Sequence, residues 1–201
     1  MTRLFRLIVV LLSVVALAGC GGSGDGDEGF IKEYEDLNGM MTQSGTAFLE
    51  VVIPDDHVFS PASEDEARGL LDDGHGVIYF GFPSCPWCRN AVGPMDEAAK
   101  ESGIEEIHYV NVSQIRDGQE GADYYAFLLE ELGEFAPEYP TEEDPDARRI
   151  LVPLVAAVVD GEVVGSHLGS APSQTDQSVA LSDSQREELI GLYTDLFSAV
   201  P

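Results

Sequence analysis

The sequence predicts an α/β protein with a mixed central sheet and helices on both faces. Three observations lead there. Val77–Phe82 and Leu151–Val159 are continuous apolar runs, the pattern of strands buried on both sides. Three segments follow a strand-loop-helix-strand order. Asp160-Gly161, set between two apolar runs, is a two-residue hairpin turn that makes the last strand pair antiparallel. Hydrophobic residues at 44% and charged residues at 23% suit one buried core and exclude collagen-like, coiled-coil and wholly disordered classes.

The elements follow in order. Residues 30–41 form an amphipathic helix with Ile31, Tyr34, Leu37 and Met41 inward. Phe48–Ile53 is a short strand stopped by Pro54. Ser63 to Glu66 is a capping box opening a helix to about Leu71, ended by the Asp72–Gly76 stretch. After the Val77–Phe82 strand, a helix runs from Pro86 to about Ser102, and Ile107–Val112 is the next strand. Ala122–Leu132 is a helix with Tyr125, Leu128, Leu129 and Leu132 on one side. Residues 133–150 are a proline-containing acidic loop, read as a solvated surface insertion. Leu151–Val159 and Glu162–His167 make the hairpin, and the last helix spans Ser184–Ala199 with Leu189, Leu192, Leu196 and Phe197 apolar.

Charge separates function classes. Asp and Glu number 37 against 10 Lys and Arg, a net −27, with no basic patch, so nucleic acid is not an expected partner. The N-terminus carries an address. Arg3 and Arg6 precede an apolar stretch, Leu7–Ala18, that as a helix spans roughly 18 Å against a hydrocarbon core of roughly 30 Å. Length and flanks point to a secretory signal over residues 1–19. The following Leu17-Ala18-Gly19-Cys20 resembles the lipobox of bacterial lipoproteins. That resemblance implies cleavage before Cys20, acylation of its thiol, and a domain held on the outer face of the cell membrane. Residues 20–29, rich in Gly and Asp, are expected to be a flexible acidic tether. Residues 30–47 are an N-terminal extension and 48–201 the folded domain.

With Cys20 assigned to lipid, Cys85 and Cys88 remain, three apart, in a compartment that permits disulfides. A staple closing so small a loop constrains little of the unfolded chain, so stability does not explain the spacing. Chemistry does. The buried strand delivers Cys85 to the first turn of a helix, where unsatisfied N–H groups and the dipole favour a thiolate. Pro86 suits the first helical position, and Arg89 adds a nearby positive charge. Cys85 is then an exposed nucleophile of lowered pKa and Cys88 the sheltered resolving thiol, acting through a mixed disulfide. A zinc site would need two further ligands. No second Cys pair or paired His supplies them, so no metal or organic cofactor is expected.

From Phe48 to Val200 the chain resembles the thioredoxin superfamily, in its element order, its strand-CxxC-helix junction and Pro153. The resemblance implies a three-layer fold, a cis bond at Pro153 packed against the cysteines, and backbone at Val152 that pairs with a substrate peptide. It also implies that Trp87 caps the site and contacts that peptide. Cys-Pro-x-Cys with Val-Pro is similar to disulfide-oxidising and glutaredoxin-like members, and to lipoproteins of the bacteriocin-transport accessory type. Three positions depart from the family pattern. Tyr79 stands where a buried Asp is usual, Pro94 falls six residues after the second Cys, and the connection before Pro153 is long. The function implied is a thiol–disulfide oxidoreductase acting on exported protein or peptide thiols and recycled by a membrane redox partner. The alternative is a redox-inert binding module assisting peptide export.

Overall fold

A computed structural model describes residues 25–116 and 121–201. The signal segment, Cys20 and the first part of the tether lie outside the described residues. Among those described, five strands form one sheet in the order β1-β3-β2-β4-β5, with α1, α3 and α6 on one face and α2 and α5 on the other. The strands are β1 (Phe59–Pro61), β2 (Gly76–Gly81), β3 (Ile107–Asn111), β4 (Leu154–Val159) and β5 (Glu162–Leu168). The helices are α1 (Asp25–Glu35), α2 (Glu64–Asp73), α3 (Pro86–Ser102), α4 (Val112–Arg116), α5 (Ala122–Leu132) and α6 (Asp183–Phe197). β3 runs parallel to β1 and β2, whereas β4 is antiparallel to both β2 and β5. The expected mixed sheet with helices on both faces is present.

The period of two along β2 divides the core. Val77 and Tyr79 pack with Phe30, Tyr34, Met95 and Tyr193 on one face, while Ile78 and Phe80 pack with Leu70, Leu128 and Leu132 on the other. Each such buried side chain contributes roughly 1.5–3 kcal/mol of transfer free energy, so the central strand anchors both layers.

Local signals place most elements well. Ser63 accepts from the Glu66 N–H while Glu66 accepts from the Ser63 N–H, the two bonds of the capping box. Asp160 and Gly161 adopt φ of 53° and 77°, the left-handed pair a tight hairpin requires.

Long-range partners move the rest. Phe48–Ile53 is not a strand, and the first strand is Phe59–Pro61. The Val51 N–H donates to Asn38 Oδ1 and the Ile53 N–H to Glu35 Oε1, so side chains at and just past the end of α1 satisfy the backbone that a neighbouring strand would have. The N-terminal helix begins at Asp25 and ends at Glu35, so residues 25–29 are helical instead of tether. Packing of Phe30 and Tyr34, both fully buried, overrides the composition there. Phe30 faces inward, and Met41 is exposed in an isolated bridge to Ala47. The extension therefore shares the domain's core. β4 starts at Leu154, since Pro153 has no N–H for the ladder. In α5 the buried aromatic is Tyr124, while the Tyr125 hydroxyl accepts from the Ile150 N–H. In α6 Leu189, Tyr193 and Phe197 point inward, after a capping box from Ser182 and Gln185.

Candidate active site

Cys85 is the N-cap of α3, and its backbone is extended with φ −79° and ψ 119°. Its Sγ accepts the N–H of Cys88 at 3.4 Å, so the sulfur takes the place of a capping oxygen. Pro86 occupies the start of the helix, where a missing N–H costs nothing. Both thiols are free. Cys88 is fully buried against β2, and Cys85 is 7% exposed. Cys85 is thus far less open than its sequence position suggests. It sits beneath the approach to β4, with its Sγ 3.9 Å from the Val152 carbonyl oxygen. The Val152–Pro153 bond is cis, and Pro153 is buried beside the cysteines' end of the sheet.

The two thiols differ in acidity. Cys85 lies below the ordinary thiol value because Cys88 donates to its sulfur; burial opposes this, and the N–H groups of Cys88 and Trp87 and the Arg116 charge assist. Burial pushes Cys88 well above that value, and the neighbouring Cys85 pushes it further. An easily ionised sulfur at the mouth and a protonated one behind it suit stepwise exchange.

Arg89 does not serve as the nearby charge expected of it. Only 4% exposed, it turns away from the thiols into the N-terminal segment. Its guanidinium donates to the carbonyls of Leu49 at 2.5 Å, Tyr34 at 2.8 Å and Pro83 at 3.1 Å, and to Asn38 Oδ1 at 2.6 Å. One residue beyond Cys88 is about 100° further round the helix, which is why it faces elsewhere. The cation that favours the Cys85 thiolate is Arg116, at the end of α4, stacked over Phe82 with 5.4 Å to the ring centroid.

Trp87 is half-buried and lines a 270 Å³ groove with Val152, Leu168 and Ala171. On the other flank, Pro86 borders a 180 Å³ cleft with Thr46, Phe48 and Leu49. Asn90 ties the 177–181 loop to α3, donating to the Val179 carbonyl and accepting from the Leu181 N–H. Sequence reasoning placed Tyr34 inward without bringing it to the cysteines, and missed Tyr109 and Arg116 there. Tyr109 had a signal: it pairs in register with Tyr79, so both side chains fall on the face that carries the cysteines. Among the described residues no three His, Cys, Asp or Glu side chains gather as a metal site, and no helix is long and apolar enough to cross a membrane.

Comparison with family models, curated proteins and solved structures finds no match to this chain.

Proposed function

We propose that the protein is a thioredoxin-like thiol–disulfide oxidoreductase, anchored by lipid on Cys20 and working on exported proteins outside the cytoplasm. The observation that carries this reading is the Cys85 sulfur. It caps α3, is lowered in pKa, and lies 3.9 Å from the Val152 carbonyl, with the buried Cys88 behind it. The strand order, the cis Pro153 and the groove beside Trp87 support it further.

The chemistry balances without a cofactor. The Cys85 thiolate attacks one sulfur of a substrate disulfide, and the other leaves as a thiolate. Cys88 then loses its proton and attacks Cys85 Sγ, releasing the second substrate sulfur and closing the Cys85–Cys88 disulfide. Two electrons pass to the substrate; run backwards, the same steps oxidise a dithiol. A membrane redox partner resets the pair. An extended substrate strand lies along the groove, its backbone paired to Val152 and one side chain against Trp87.

Insulin reduction with dithiothreitol as electron source tests the reading. The wild type is expected to accelerate precipitation of the insulin B chain, and Cys85→Ser is expected to abolish that acceleration. A wild type without activity whose peptide binding survives Cys85→Ser would replace it with the redox-inert binding module. Loss of detergent-phase partitioning in Cys20→Ser tests the anchor.

A further inference from the structure

The chain carries 37 Asp and Glu against 10 Lys and Arg, yet three of its arginines line one pocket. Arg116 comes from the end of α4, and Arg148 and Arg149 from the connection between α5 and β4. The pocket holds about 140 Å³ and is walled by Tyr125 and Tyr139, with no Asp or Glu among the described residues that line it. All three arginines are half-buried. In so acidic a chain, three cations around one small cavity mark it for an anion.

Rings brace two of the three. The Arg116 guanidinium lies 5.4 Å from the Phe82 ring centroid, and that of Arg149 lies 5.0 Å from the Tyr139 centroid. Both have further interactions within the chain, so what they bring to the pocket is positive potential. Arg148 brings donors. Its Nε donates to the Ala136 carbonyl at 2.9 Å, while its Nη groups make no hydrogen bond or ion pair with a described residue.

The path of the chain sets this pocket beside the thiols. Phe82, under Arg116, directly follows β2, and its carbonyl accepts the Cys85 N–H at 3.2 Å. Arg149 stands three residues before Val152, so their Cα atoms are at most about 11 Å apart. Leu151 and Val152 line the groove beside Trp87. Groove and arginine pocket therefore sit at the two ends of one short stretch. A peptide strand paired to Val152 reaches the arginines within about three or four extended residues.

We propose that Arg148, with Arg149 and Arg116 beside it, binds an acidic side chain of the substrate polypeptide a few residues from the cysteine that Cys85 attacks. This deepens the exchange reading above and rests on it. The substrate carboxylate accepts from the Arg148 Nη groups, and the other two guanidiniums hold the site positive. The contact selects which exported proteins dock and fixes the register of their strand over Cys85. Net charge cannot supply the same preference. A surface at −27 repels an acidic peptide at long range, so attraction to one comes from a local cation site.

The test uses the full reduced chain and short Ala/Gln peptides, acetylated and amidated, whose single cysteine is activated as its 2-pyridyl disulfide. Attack by Cys85 on the peptide sulfur forms the mixed disulfide and releases 2-thiopyridine, followed by stopped-flow absorbance. Glu, Gln or Lys stands three residues from the cysteine, on either side, or at the far end of the peptide. On at least one side the wild type is expected to react at least about five-fold faster with Glu than with Gln, between the effects of exposed and buried ion pairs. Lys reacts slowest, and Glu at the far end gives no gain. Arg148→Gln is expected to bring the Glu-to-Gln ratio below about two, Arg149→Gln to lower it, and raised salt to shrink it in the wild type. Arg186→Gln removes the same charge from α6, on the other face of the sheet, and leaves the ratio in place. Should Arg148→Gln fail to fold, Arg149→Gln, beside the exposed Tyr139 ring, decides alone. A smaller ratio in a wild type that reacts with every peptide overturns the pocket and spares the exchange reading. So does a ratio that a folded Arg148→Gln keeps, or one that Arg186→Gln lowers equally. No release of 2-thiopyridine from any peptide overturns the exchange reading, and the pocket with it.

Discussion

Replacing Arg89 with methionine separates a structural role for this residue from an electrostatic one. The substitution keeps an unbranched apolar stem but removes every donor. The carbonyls of Leu49, Tyr34 and Pro83 lose the guanidinium, whereas Asn38 Oδ1 keeps the Val51 N–H at 3.0 Å. A buried acceptor left unsatisfied costs about 1–3 kcal/mol. Three at the lower end give about 3 kcal/mol, because removing a desolvated charge offsets part of the loss. For a chain of this size that corresponds to a fall of about 6–12 °C in Tm, at about 2–4 °C per kcal/mol. The assay is urea and thermal unfolding of the reduced protein, paired with the pH midpoint of Cys85 alkylation. Stability is expected to drop while that midpoint stays put. A loss below about 1 kcal/mol would refute the anchoring of the N-terminal segment by Arg89. A midpoint that rises with the substitution would mean that Arg89 acts on the thiol after all.

Other consequences concern the thiols and the packing beneath them. Of the Cys85–Cys88 pair, iodoacetamide is expected to modify only Cys85, with a midpoint below 9.0, while Cys88 stays unreactive beyond 9.0. A midpoint at or above 9.0 for Cys85 would contradict its position at the helix cap. The linked stability has a definite sign: with the folded value below the unfolded one, the Cys85 contribution is fully present above 9.0 and fades as pH falls through the folded midpoint. Unfolding of the reduced Cys85→Ser variant across that window should show a flatter pH profile than the wild type. Gly81→Ala would set a Cβ 2.1 Å from the Tyr79 hydroxyl and 2.3 Å from Cζ of the same ring. It is expected to lower stability by about 1–3 kcal/mol in urea unfolding; a loss under about 0.5 kcal/mol would contradict the placement of that phenol over the glycine.

What the sequence reveals here is mostly local. α5 and α3 fall at the expected residues, and the Asp160-Gly161 hairpin and the Ser63 cap form as expected, because each is written in side-chain periodicity, a capping pair or a turn dipeptide. The cysteine pair at a strand-to-helix junction is legible for the same reason. Phe48–Ile53 misleads because Val51 and Ile53 are buried without a neighbouring strand, their N–H groups taken by Asn38 and Glu35. α1 begins inside an acidic Gly-rich stretch because Phe30 and Tyr34 find a core made by distant strands. Arg89 reads as a charge beside a thiol in one dimension and points at another segment in three. The tyrosines packed around Cys88 come from α1, β2 and β3, and only the folded sheet brings Tyr34, Tyr79 and Tyr109 together.

The most direct test of the central claim is to capture the covalent intermediate. Cys88→Ser mixed with a disulfide-bonded peptide substrate is expected to stall as a mixed disulfide, and peptide mapping by mass spectrometry is expected to place the adduct on Cys85. Cys85→Ser should give no stable adduct. An adduct absent from Cys88→Ser, or found on Cys88 as readily as on Cys85, would contradict the assignment of Cys85 as the attacking sulfur and of the pair as an exchange centre.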